Sequence, residues 1–217
     1  MLIGLAGAKH SGKNTCAEFI REYFGGDFDV REWSFAEDLK KSAAASLGIY
    51  ENGVDFCNEL KECGDIHVYF NNNVHFVITG REFLQLYGTE AHRDVFGQSF
   101  WVENLLTKIQ NNEDGGFGYH GGDYPHFDLI TDVRFPNEAQ AIKSMGGKII
   151  QIVRESEADG DAHASEKPLD RELVDRVIGN NSTLGALKET IIFAVEEECK
   201  DYISDSLKRE GKLVPYA

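Results

Sequence analysis

A chain of 217 residues can bury one full hydrophobic core, or one core with a smaller appendage, and the expectation is a single domain carrying insertions. With 22 Lys and Arg against 37 Asp and Glu, the formal net charge is −15, which argues against nonspecific adhesion to a nucleic-acid polymer or an anionic membrane; any phosphate site must be a local cluster. Cys16, Cys57, Cys63 and Cys199 form no CxxC pair, and neither a signal peptide nor an apolar run of membrane-spanning length is visible, which fits a soluble protein of a reducing cytoplasm.

In chain order, "LIGLAG" (2–7) is a short apolar run ending in glycine, the pattern of a buried parallel strand. "NTCAEFIREYF" (14–24) spaces Ala17, Phe19, Ile20, Tyr23 and Phe24 near helical intervals. "VREWSFA" (30–36) reads as a second strand, followed by the helix "AEDLKKSAAASLG". Residues 50–104 then break the alternation. They are mostly helical in pattern ("GREFLQLYGTEA", "FWVENLLTKIQ"), with a hairpin expected around "HVYFNNNVHFVI", where the asparagine run supplies turn residues. This stretch reads as an insertion that covers something.

"NNEDGGFGYHGGDYPH" (111–126) is Gly-rich and polar, hence a loop, and its His120, Asp123 and His126 match no metal-ligand spacing. "FDLITDVRF" (127–135) and "KIIQIVR" (148–154) are two further strands, separated by the helical "NEAQAIKSMGG". "DRVIGN" (175–180) is a shorter strand, and "STLGALKETIIFAVEEECKDYI" reads as one long helix capped by Ser182. Strands alternating with helices of this length imply a parallel sheet covered on both faces. No internal repeat is visible.

The first loop carries chemistry. Gly7, four residues, then Gly12 and Lys13 give GxxxxGK between a strand and a helix, the context a P-loop requires. Glycines let backbone N–H groups turn inward around phosphate oxygens, the helix start adds partial positive charge, and Lys13 reaches the β and γ phosphates of a nucleoside triphosphate. The position after the lysine, normally a Ser or Thr hydroxyl for Mg²⁺, is Asn14, and Thr15 follows. An amide oxygen is a weaker magnesium ligand there, so the ion would be held through water or by Thr15.

Asp132 closes the apolar run "FDLIT" at the position of a Walker B acid, and Arg134 lies two residues beyond. The two would share a face if the strand continued, near the carboxyl edge where ligands bind in such sheets. An arginine there can neutralise charge on a transferring phosphoryl group, although a salt bridge or a helix cap would use the same pair. In the insertion, Arg81, Gln85 and Thr89 are four apart on one helical face, with Arg93 and Trp101 beyond. Guanidinium groups suit a monophosphate, Gln85 a base edge, and Phe35 or Trp101 an aromatic wall. Lys40 follows the second strand and can reach the same phosphate. Core packing is the plain alternative for Phe83, Phe96, Phe100 and Trp101.

"GAKHSGKNT", "WSFAEDLK", "REFLQLYGTEAHRDVFGQSFWV", "LITDVRFPNEAQAI", "GGKIIQIVR", "HASE" and "VIGNNSTLGALKETI" occur in the order seen in bacteriophage deoxynucleoside monophosphate kinases, which the chain resembles over most of its length. The resemblance implies an α/β fold, the three-layer P-loop kinase fold: one domain over 1–217 with a parallel sheet, a mostly helical acceptor-binding insertion at about 50–104 and a short lid at about 154–170. It implies transfer of the γ-phosphoryl of ATP, with Mg²⁺, to a deoxynucleoside 5′-monophosphate. Position by position, it puts Gly7, Lys9, Ser11, Gly12, Lys13, Asn14 and Thr15 on ATP, with Asn180, Asn181 and Thr183 near the adenine. Phe35, Lys40, Arg81, Gln85, Thr89, Arg93, Trp101 and Glu166 fall on the acceptor side. Lys13, Asp132 and Arg134 are the implied catalytic residues, and Thr15 and Asp132 the implied metal ligands. In the lid, Arg154, His163 and Glu166 would touch nucleotide on closure. The implied partners are small nucleotides, with no nucleic-acid polymer and no membrane, and a homodimer is a possible assembly.

One departure stands out. The family looks like GKDT where this chain has Gly12, Lys13, Asn14 and Thr15, so an amide replaces a carboxylate beside the phosphates. Any base role would move to Asp132, Glu166 or water, and a loose transition state makes positioning and charge matter more than a strong base. Two other readings stay open: a P-loop kinase of another small acceptor, of phosphomevalonate or dephospho-coenzyme A type, and a nucleotide-gated binding protein or GTPase-like switch. The switch lacks support from any NKxD guanine motif.

Overall fold

The computed structural model describes residues 1–62, 65–70, 73–113, 125–154 and 169–212. The chain divides into two compact units, residues 1–33 with 109–217 and residues 34–108.

The first unit is built on five parallel strands, β1 (Leu2–Ala6), β2 (Asp29–Trp33), β5 (His126–Val133), β6 (Lys148–Val153) and β7 (Arg176–Gly179), in the spatial order β2-β5-β1-β6-β7. The P-loop strand β1 therefore lies at the centre, flanked by β5 and β6, with Ala6 opposite Val133 on one side and Gln151 on the other. Continuous apolar strands are what a sheet buried on both faces demands. On one face Ile3, Leu5, Phe127, Leu129, Ile150 and Ile152 pack with Cys16, Ala17 and Ile20 of α1 (Lys13–Phe24) and Leu187 and Ile191 of α8 (Leu184–Glu198). On the other face, Ile142 of α7 (Pro136–Ser144) meets Ile149 and Val133 over Gly4. Helices on both sides of a parallel sheet, with a glycine-rich loop after the central strand, make this a three-layer α/β fold. Burial pushes the Cys16 and Cys199 thiols up to about 12, so both serve as core hydrophobes.

The second unit holds α2 (Phe35–Ser46), α3 (Gly53–Glu62), the antiparallel hairpin of β3 (Asp65–Phe70) and β4 (Asn73–Thr79), and α4 (Gly80–Gly88). Ala43, Ala44, Cys57 and Leu84 form its small core, with Leu39, Phe56, Phe83 and Tyr87 packed against them. A capping box starts α4: the Thr79 hydroxyl accepts the Glu82 N–H, and the Glu82 carboxylate accepts the Thr79 N–H at 2.8 Å. A π-helical turn, Thr89–Arg93, leads into α5 (Asp94–Phe96), and α6 (Phe100–Glu113) follows.

Several boundaries differ from the sequence reading. Strand β2 ends at Trp33 and Phe35 opens α2. The stretch 111–126 read as a loop belongs to α6 at its start and to β5 at its end, and residues 114–124 lie outside the described residues. The final long helix is two, α8 and α9 (Lys200–Arg209), broken at Cys199, and the cap of α8 is Thr183, whose hydroxyl accepts the Ala186 N–H, rather than Ser182. Among the described residues, no helix is long and apolar enough to cross a membrane.

Candidate active site

The loop from Gly7 to Lys13 turns tightly, with the Ser11 N–H donating to the Ala8 carbonyl at 3.2 Å. Two glycines make it possible. A Cβ on Gly7 would lie 2.4 Å from the Ile152 carbonyl oxygen and 2.6 Å from Ser11 Oγ, and one on Gly12 would lie 2.5 Å from the Asn180 side-chain nitrogen. Both have positive φ, +147° and +106°. His10 also has a positive φ, 62°, at the crest of the loop.

Helix α1 starts on Gly12, which has no side chain to cap it. The first helical bond here runs from the Cys16 N–H to the Gly12 carbonyl at 2.9 Å, so the N–H groups of Lys13, Asn14 and Thr15 precede the intrahelical ladder. N–H groups at a helix start, together with the helix dipole, favour an anion. Lys13 is buried, and its ammonium donates to the Gly7 and Ala8 carbonyls at 2.7 Å each. That curls the cation back over the start of the loop. Ser11 is buried too, and its Oγ has no hydrogen-bond partner among the described residues. A cradle of glycines, the start of a helix and a buried ammonium fits the polyphosphate of a nucleotide.

Asp132 sits half-buried near the end of β5, the strand next to β1. The register between β1 and β5 slips between Gly4 and Ala6, which face Ile130 and Val133, so one extra residue is accommodated at the 131–132 step. The strand stops at Val133 and does not carry Arg134. What places Arg134 is Glu138: the buried Glu138 carboxylate accepts the Arg134 and Phe135 N–H groups at 2.7 and 3.0 Å as α7 begins on Pro136. Sequence reasoning missed Glu138, although proline at the first helical position with glutamate two residues on signals a helix start.

In the second unit, Arg81 and Gln85 are exposed neighbours on α4, while Gly80, Leu84 and Gly88 form its buried side. Thr89 closes α4, its N–H donating to the Gln85 carbonyl, and the π turn re-phases the chain from there on. Trp101 is 3% exposed and its indole N–H donates to the Gly88 carbonyl at 3.1 Å, so it supports the α4–π junction instead of offering an open aromatic wall. His92 stands among Tyr87, Phe100 and Trp101, with ring centroids 4.4–5.3 Å away, and its Nδ1 lies 2.6 Å from the Tyr87 carbonyl oxygen. Arg93 is half-buried at the end of the turn. Phe35 is buried at the start of α2, and Lys40 is half-buried along it. Buried Asp38 on α2 takes the Lys108 ammonium at 2.5 Å.

Of the remaining candidates, Lys9, Asn14, Asn181 and Thr183 are exposed, Thr15 is half-buried, and Arg154 is exposed at the end of β6. His163 and Glu166, with the rest of the expected lid to residue 168, lie outside the described residues. Asn180, read only as a neighbour of the adenine, donates from its amide to the Ser11 carbonyl at 2.8 Å.

The family model described as "Deoxynucleotide monophosphate kinase" matches residues 44–191, more than half of the chain. The chain belongs to the deoxynucleotide monophosphate kinase family. A relative in Acanthamoeba polyphaga mimivirus is 32% identical over 206 residues, covering 90% of this chain and 96% of that one. The deoxynucleotide monophosphate kinase of Enterobacteria phage T4 is 22% identical over 86% of this chain and 95% of its own. The deoxynucleoside-5′-monophosphate kinase of Escherichia phage T5 is 23% identical over 66% of this chain and 72% of its own. Membership makes the chain a nucleotide kinase, a phosphotransferase working on small nucleotide substrates, and the matched region takes in α4, the π turn, Asp132 and Arg134.

Proposed function

We propose that this family member transfers the γ-phosphoryl group of ATP to deoxynucleoside 5′-monophosphates, with the donor held by the glycine-rich loop after β1. The observation that carries the donor half is the glycine-walled loop with Lys13 buried in it. The Lys13 ammonium exchanges its present carbonyl partners for β and γ phosphate oxygens, and the first-turn N–H groups of α1 hold the rest. A phosphate oxygen of the acceptor attacks the γ phosphorus, the bond to the β–γ bridging oxygen breaks, and ADP leaves. Arg134, fixed through its own backbone, is the cation offered to charge that spreads over the transferring group.

Magnesium would be held by Thr15 and Asp132, hard oxygen donors of the kind it takes, and would supply charge compensation on the phosphates. On the acceptor side, exposed Arg81 is the phosphate ligand and Gln85 the reader of the base edge, with Arg93, Lys40 and Thr89 as further polar contacts. Glu166 remains a candidate on the acceptor side. The setting that goes with this chemistry is the cytoplasm, where ATP and its acceptors meet.

The test is ADP release with ATP, Mg²⁺ and each deoxynucleoside monophosphate, beside ribose counterparts and a no-acceptor control. ADP that depends on a deoxynucleotide, with Arg81→Ala raising the KM for that acceptor about tenfold or more and leaving the KM for ATP alone, is the expected result. ADP formed equally without acceptor would overturn it.

A further inference from the structure

Asn180 follows β7 at the carboxyl edge of the sheet, two positions after Ile178 enters the core. Its own N–H donates to the Val153 carbonyl at 2.7 Å, which extends the β6–β7 pairing by one bond and holds its backbone fast. From that anchor the side-chain amide reaches 169 positions back along the chain to the Ser11 carbonyl, 2.8 Å away. The fit is close enough that a Cβ on Gly12 would lie 2.5 Å from the same amide nitrogen.

In a trans peptide the carbonyl of one residue and the N–H of the next point in opposite directions, and the described residues contain no cis bond. Asn180 therefore determines where the Gly12 N–H aims: with Ser11 O drawn toward Asn180, that N–H is turned away from Asn180. Gly12 is the residue on which this orientation is least secure. At φ +106° it has no Cβ to bias the peptide, and no other hydrogen bond to the Ser11 carbonyl occurs among the described residues.

We infer that Asn180 is a positioning residue of the nucleotide loop, holding the Ser11–Gly12 peptide in the one orientation that presents the Gly12 N–H to a phosphate of the bound nucleotide. It acts through the loop and touches no reacting atom. The inference rests on reading residues 7–15 as the ATP loop, and it moves Asn180 from the adenine to the phosphates.

The test compares wild type with Asn180→Leu and Asn180→Ala, measuring ATP affinity by calorimetry, KM for ATP and for the acceptor separately, and thermal melting. Leucine keeps roughly the shape of asparagine and loses the donor; alanine loses both. If Asn180 aims the peptide, both variants weaken ATP binding about tenfold or more, the loss expected for one N–H to a charged acceptor, while the acceptor KM stays within about twofold. If Asn180 only fills space, leucine binds ATP like wild type and only alanine is impaired, which overturns the inference. A variant that melts lower but binds ATP normally overturns it as well. Wild type that binds no ATP would overturn both this inference and the donor reading beneath it, whereas wild-type binding with an equally tight leucine variant removes this one alone.

Discussion

Glu138 holds Arg134 by the backbone, 2.7 Å from carboxylate to amide, so the guanidinium is free of the bond that fixes its residue in place. Glu138 is 3% exposed and accepts the Phe135 N–H as well. Replacing it by alanine strands two N–H groups at the start of α7, which costs about 2–4 kcal/mol of unfolding free energy in a urea titration. Turnover falls more than either KM changes, since the arginine serves the transferring group and not the bound substrates. Glutamine keeps one acceptor oxygen and should recover at least half of both losses; an alanine variant with full turnover would detach Arg134 from the chemistry.

Lys13 is the cation of the proposed donor loop, and its ammonium donates to the Gly7 and Ala8 carbonyls. Lys13→Met keeps the stem and removes the charge. Expect kcat/KM for ATP to drop by about 10²–10³, the range for deleting one group that stabilises developing charge. Steady-state kinetics at saturating acceptor measure it. A loss below threefold would mean that the ammonium does not reach the transferring phosphate.

Gly12 is constrained twice, by φ +106° and by the Asn180 amide 2.5 Å from where a Cβ would stand. Gly12→Ala should destabilise the fold by about 1–2 kcal/mol from the backbone alone and remove measurable ATP binding, because relief of the clash has to move either Asn180 or the loop. Chemical unfolding and calorimetry on the same preparation separate the two effects.

What could be read without coordinates was whatever short-range pattern dictates. The strand "LIGLAG", the GxxxxGK spacing and the Asn-run hairpin are local, and β1, the loop and β3–β4 stand where the residues put them. The losses came where a distant partner decides. Trp101 looks like a binding aromatic until its indole N–H is found on the Gly88 carbonyl, 13 positions back along the chain. Asn180 and Ser11 are 169 positions apart, and no periodicity joins them. The bulge beside Asp132 and the capture of Arg134 by Glu138 likewise replace the simple alternation that placed both residues on one strand face.

Asn14 is exposed in the first turn of α1, a turn that contains no acidic residue. Asn14→Asp puts a carboxylate at the positive end of the helix dipole, worth about 0.3–1 kcal/mol of stability, and restores a hard anionic ligand beside the phosphates. The expected outcome is a lower Mg²⁺ concentration for half-maximal activity or a higher kcat, seen in a magnesium titration. An enzyme unchanged in both, yet more stable, would show that the amide is no handicap and that the position serves only the helix.

His126 opens β5 on the far edge of the sheet from the nucleotide loop, with its Nε2 3.2 Å from an oxygen of Asp128. The hydrogen bond to Asp128 raises its pKa above the ordinary histidine value, against burial, the amino terminus of Met1 and Arg31, which oppose the charge. A raised pKa means that the folded state binds the proton more tightly than the unfolded chain does. The stabilisation is therefore complete below the unfolded value near 6.5 and is lost as pH climbs through the folded one. Between about pH 6 and 8 the urea midpoint of the wild type should fall as pH rises. His126→Gln, which cannot titrate, should be less stable at pH 6 and show a flatter profile. Parallel profiles for the two proteins would place the pH dependence on other groups.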